Sequence, residues 1–494
     1  MSVEPVAVLR TSGLALAVGA DGTVRTVTST ADPTCSWLVD CGAPDLTTSR
    51  GPVALGAARV TVDRDEVETE RSGGGLRVVV RHAVDQAWTV RLVLANESDA
   101  EVALEQVRLS WRAASGTTVT ALPAGGRAAY AVQPAHGDGP VLVGRLQSGA
   151  QAGVGPDGLL LGPLALAPHH RWAVQWRWEV APDARRAGAR GELPRTTWLD
   201  LGQTVVLPSS PDVAVVAPGL AVELEDDDRV EVSSDEPGTF VVELRSARGT
   251  TACPLTWAPE LDALVDATTE TLLDGPTTPA GTPRLDGAAS GLVVQDALTR
   301  RTAGWPDELA DALELAAGEL AEQQDDRADV VDPLALTFLA READRSADPT
   351  LLDVALRRLL GTTTATPGLE VAGIAVALAL VRTGRSTDAL AAHLAGLRDL
   401  DARRGVGLRR LGARLGAGLP GRVVPPVALD EVAYASVVLG LVDETTGQRL
   451  RQGWGITASE LARRTGAEAR ARVAGEERGP AVRRALAWLV LGRR

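Results

Sequence analysis

Near Trp257 the hydrophobic period of the chain changes from two to about 3.6, and this change constrains the fold more than any other feature. Before it, Trp172, Val174, Trp176, Trp178 and Val180 are interleaved with Ala173, Gln175, Arg177 and Glu179. Successive side chains of a strand point to opposite faces, so this is a strand with one buried face. Trp88, Val90, Leu92 and Leu94 repeat the pattern. In Val102, Leu104, Val107, Leu109 and Trp111 the phase slips once, between Leu104 and Val107. One extra residue there keeps both halves on the same core, which predicts a β-bulge. Further short strands at 76–80, 141–146, 213–216, 220–224 and 240–244 are separated by Gly, Pro, Asn and Asp clusters. The stretch 181–193 reads as an exposed Arg-rich loop, and together these features predict a large antiparallel β-sandwich over 1–257.

After Trp257, Leu309, Leu313, Ala316 and Leu320 fall on one face of a helix whose first turn holds Pro306, where the missing amide hydrogen costs nothing. Helical spacing recurs at 260–273, 286–301, 333–343, 349–360, 369–381, 386–397, 403–415, 429–441, 457–464 and 480–491. Gly384 and the run Thr445-Thr446-Gly447 punctuate the connections. Val371 to Val381 carries no polar break, which predicts an inner-layer helix with neighbours on every side. The expected fold is therefore multi-domain, β then α: a sandwich over 1–257 and an all-helical region over 258–494.

With 494 residues and 45% hydrophobic content the chain is long enough to bury two cores. Its net charge of -14 repels duplex nucleic acid and anionic membranes on average, so neither is an expected partner. The start of the chain does not have the pattern of a secretory signal, and Val371–Val381 is far shorter than the roughly 20 residues needed to span a bilayer. The expectation is a cytoplasmic, soluble, acidic protein. Cys35, Cys41 and Cys253 cannot all pair within one chain, and no repeated CxxC frame accompanies them; Cys35 and Cys41 could meet across a turn, but they read as small buried thiols.

Several chemistries lack their motifs. The glycine cluster at 73–75 precedes a strand and 153–156 reads as a strand connector; neither stands between a strand and a helix, as a phosphate cradle requires, so no cofactor is expected. His169 and His170 are adjacent and would point to opposite faces of a strand, so no metal site is expected. Of the residues from Glu223 to Asp228, five are acidic, without the staggered ligands and turn glycine of a calcium loop. They read as a solvated strand end and turn.

The order of the two halves, and the run Val78–Trp111 with its arginine-bearing strand, aromatic strand and Asn96-Glu97-Ser98 turn, is similar to glycoside hydrolases and phosphorylases that place a β-supersandwich before an (α/α) toroid. The resemblance implies a toroid, incomplete here because the helical half is short. It implies carbohydrate chemistry by two carboxylates, one protonated and one ionised, at helix ends facing the mouth of the helical region. Asp332, Glu370, Asp430 and Glu431 meet that positional condition, and Asp296 lies on a largely apolar helix, where a solvent-facing position is expected. The bland role of an acid in a first helical turn is capping. Trp305, Tyr434 and Trp454 are candidate sugar platforms. Trp172, Trp176 and Trp178 share one strand face and read as core; turned outward they would form a ligand strip. The thin aromatic content of the helical half favours a non-catalytic protein that binds another protein or an oligosaccharide. The alternative is a carbohydrate-active enzyme of the inverting hydrolase or phosphorylase type.

Overall fold

The computed structural model describes residues 5–493 except 123–128, 135–138, 150–152, 156–157, 190–192, 195, 210–212, 227–228, 247–248, 301–305, 324–330, 365, 397–426, 443, 455 and 477–478. The chain builds sheets first and helices afterwards: the last strand is Gly249–Ala258 and the next helix is Leu261–Leu273.

An eight-stranded antiparallel sheet is central to the β region, in the order Thr117–Leu122, Ala129–Pro134, Val141–Ser148, Arg171–Ala181, Trp88–Asn96, Leu76–Val84, Glu66–Gly73, Arg59–Asp63. One of its faces carries Trp88, Tyr130, Trp176 and Trp178 into a core shared with two five-stranded sheets. Trp88 stacks on Trp178 at 5.6 Å and Tyr130 lies 5.7 Å from Trp176, so the tryptophans of Arg171–Ala181 fill the sandwich and form no outward strip. The opposite face sends Ala129, Ala131, Val141, Val143 and Ala181 into a second core, packed against a four-stranded and a three-stranded sheet. Strand Ala129–Pro134 is consequently buried at every position.

The bulge predicted between Leu104 and Val107 is present: Leu104 pairs with Leu164, Val107 with Gly162, and the register shifts between them. Gly74 and Gly75, both at positive φ, form the tight turn between paired Gly73 and Leu76. Asn96 is buried; its amide donates to the carbonyls of Ala100 and Leu166 while its oxygen accepts from the Ser98 amide and hydroxyl. Two expectations need correction. Within 181–193 a short helix, α1 (Ala184–Ala189), replaces the loop, because Asp183 accepts from the Arg186 amide and Ala184 and Ala187 are buried in the second core. Gly153–Gly155 is itself a short strand.

The helices are α2 (Leu261–Leu273), α3 (Gly287–Arg300), α4 (Pro306–Glu322), α5 (Pro333–Ser346), α6 (Pro349–Gly361), α7 (Leu369–Arg382), α8 (Asp388–Gly396), α9 (Leu429–Gly440), α10 (Glu444–Trp454), α11 (Ala458–Gly475) and α12 (Pro480–Leu491). The stretch 403–415 lies outside the described residues. Thr445-Thr446-Gly447, read as a connection, lies inside α10. Helix α7 is helical as expected but is not enclosed. Leu369, Val371, Ala372, Val376 and Leu380 are buried, whereas Ile374, Leu378 and Val381 form an exposed stripe. No helix among the described residues is long and apolar enough to cross a membrane. Cys35, Cys41 and Cys253 are free thiols; burial pushes Cys35 up to about 11 and Cys253 to about 12, and raises Cys41 as well.

Candidate functional site

Three helix starts meet α12. At α5, Pro333 occupies the first turn and the Asp332 carboxylate accepts from the Leu334 amide at 3.1 Å, which is the capping role expected of it. Helix α7 opens after Gly368, whose φ of 98° suits glycine. A Cβ at Gly368 would also collide with the Trp488 ring of α12 and crowd Pro333. Helix α9 begins with Asp430 and Glu431 in its first turn.

Arg484 and Trp488, one turn apart on α12, join these starts. Arg484 holds Asp332 through both terminal nitrogens, at 2.8 and 3.4 Å, and its Nε lies 3.8 Å from Asp430. Burial lowers the Arg484 pKa, but the bond and charge of Asp332, with those of Asp430, more than offset this and raise it above the ordinary arginine value. Tyr434 stands edge-on to Trp488, with ring centroids 5.2 Å apart, and its hydroxyl donates to Glu370. Glu431 is half-buried beside Asp430. The Oδ1 of Asp430 is buried and has no hydrogen-bond partner among the described residues.

Asp332, Glu370, Asp430 and Tyr434 are thus brought into one network, whereas Asp296 belongs to another. Asp296 is 11% exposed, not solvent-facing, and lies 3.1 Å from Arg300 and 3.4 Å from Arg493, which follows α12. Burial pushes its pKa up, and Arg493, Arg300 and Arg341 only partly oppose this. Arg300 extends the network to Asp262 and Asp266 on α2, at 3.3 and 2.9 Å. Trp305 and the ring of Trp454 lie outside the described residues. The sequence reading missed Arg484 and Trp488. Their spacing of four, on a helix that is apolar apart from Arg483 and Arg484, was the available signal, since it places a guanidinium and a ring on one face.

No protein-family model matches the chain, and no curated protein matches it. Among solved structures it is similar to a polysaccharide lyase, at 13% identity and TM-score 0.39, over 93% of this chain and 82% of that one. It is similar to YidC from Thermotoga maritima at 14% identity and TM-score 0.21, over 37% of this chain and 53% of that one. A further match is an active YidC insertase, at 11% identity and TM-score 0.22, over 95% and 93% of the two chains. Likenesses at these TM-scores fix neither activity nor ligand.

Proposed function

We propose that the chain is a non-catalytic binding protein on a glycosidase-like frame, with a β-sandwich unit at 1–257 and an incomplete (α/α) toroid at 258–494, and that it takes a protein or a glycan as partner. The observation that carries this reading is the use already made of the clustered carboxylates. An inverting hydrolase or phosphorylase needs a proton-donating carboxyl and a second carboxylate about 6.5–9.5 Å away across open space. Here Asp332 caps α5 and serves with Asp430 as counter-ion to Arg484, while Glu370 is held by Tyr434. Trp176 and Trp178 belong to the sandwich core, and the exposed stripe of α7 offers apolar surface of the kind protein partners cover.

A second reading draws on the unpartnered Oδ1 of Asp430. In it the chain is a carbohydrate-active enzyme with Glu370 and Asp430 as its acid and base, Glu431 and Asp332 around them and Tyr434 against the sugar. One experiment separates the two. The purified chain is incubated with neutral and acidic oligosaccharides, with and without phosphate, while product formation and thermal shift are followed. The expected outcome is no product, with any ligand raising the apparent melting temperature by mass action. Product formation that falls by about a hundredfold in Glu370→Gln or Asp430→Asn would overturn the binding reading.

A further inference from the structure

We infer that strand Ala221–Asp226 is an open sheet edge that takes up an extended peptide in which apolar and basic residues alternate. The inference rests on the binding reading above and names where a protein partner attaches. In the three-stranded sheet the order is Thr204–Pro208, Arg229–Ser233, Ala221–Asp226, so the outer backbone of the last strand has no sheet partner among the described residues. Unpaired edge amides and carbonyls are a template for another strand.

The side chains state what kind of strand fits. Val222 pairs with Val232 and Leu224 with Val230, which places both on the face where Val230 and Val232 are buried. Yet Val222 is 47% and Leu224 82% exposed, so the core-side face of this edge is uncovered. The opposite face carries Glu223, paired with Glu231, and the register shift between Leu224 and Asp226 leaves Glu225 as the exposed extra residue of a bulge. A second copy of the same strand, paired antiparallel, would add its own carboxylates to an edge that already holds Glu223, Glu225 and Glu231, and like charges on neighbouring strands are destabilising. The acids therefore guard against self-association while leaving the edge open to a strand of opposite charge. Valine or leucine at alternate positions would cover Val222 and Leu224, and arginine or lysine between them would face Glu223, with the bulged Glu225 two residues along.

The test titrates the full chain with a fluorescent seven-residue peptide of alternating valine and arginine, beside a control in which glutamate replaces arginine. The basic peptide is expected to bind one-to-one, more weakly as salt rises, and to slow amide hydrogen exchange over 221–226. The double variant Glu223→Lys and Glu225→Lys is expected to lose about tenfold in affinity with an unchanged melting temperature, and Leu224→Arg to lose a similar factor. Exchange on the unaltered chain supplies the readout if Leu224→Arg disturbs folding. Failure of the basic peptide to bind, equal binding of the acidic control, or protection elsewhere than 221–226 would overturn the inference. Sugar turnover tests the underlying binding reading separately, so the two can fail independently.

Discussion

The two halves fill their interiors in opposite ways. The sandwich uses a few large rings: Trp37, Trp88, Trp176 and Tyr130 are fully buried between sheets. Sheets stack about 10 Å apart, a gap that only large interdigitating side chains fill. The helical core is mostly Ala and Leu, with Phe338 and Trp488 its large members, and its helices come close enough for Gly291 to abut Phe338 and Gly373 to abut Leu394. The sheets therefore tolerate loss of volume poorly, and the helices tolerate added volume poorly.

The largest effect is expected from Trp176→Ala, which removes a ring touching both Tyr130 and Trp178 and should cost about 3–5 kcal/mol by urea denaturation. If 1–257 and 258–494 are separate folding units, only one of two transitions will move; a single transition shifting as a whole would erase the division. Next comes acid. His82 is fully buried, accepts from Trp88 at Nδ1, and leaves Nε2 without a partner among the described residues; burial lowers its pKa from 6.5 to about 4. The folded chain thus takes the proton less readily than the unfolded one. Its contribution is complete above pH 6.5 and is lost progressively as the pH falls toward about 4, a change of about 3 kcal/mol. Urea midpoints measured between these limits should follow that slope, and His82→Phe should flatten it. The smallest effect is on the helical side: a Cβ at Gly291 would stand 2.5 Å from the Phe338 ring, so Gly291→Val should cost about 1–3 kcal/mol through overpacking. A neutral or stabilising result would contradict the contrast between the halves.

What the sequence disclosed follows from where period carries information. The slip at Leu104 and Val107 was readable because a single-faced strand keeps strict alternation around it. Ala129–Pro134 escaped because both of its faces are buried, which erases alternation. The short helix at Ala184–Ala189 was hidden by its arginines, although Asp183 before two buried alanines marked it. At the candidate site, Asp332, Glu370 and Asp430 could be placed at helix starts, but not joined. Arg484 lies 152 residues from Asp332, and no local pattern encodes that meeting. The enclosed α7 was overestimated because an apolar composition does not say how many neighbours a helix has.

Helix α11 has a consequence for how the chain is made. Ala467 and Ala471 pack on Ala258 beside Trp198, Arg470 reaches the Pro259 carbonyl at 2.8 Å, and Glu460 meets Arg185 at 3.0 Å. The seam between sheets and helices is thus closed by a segment that leaves the ribosome long after the last strand. Until α11 is made, the nascent β half must persist with Trp198 and Ala258 bare, so its solubility during that interval depends on its own two cores.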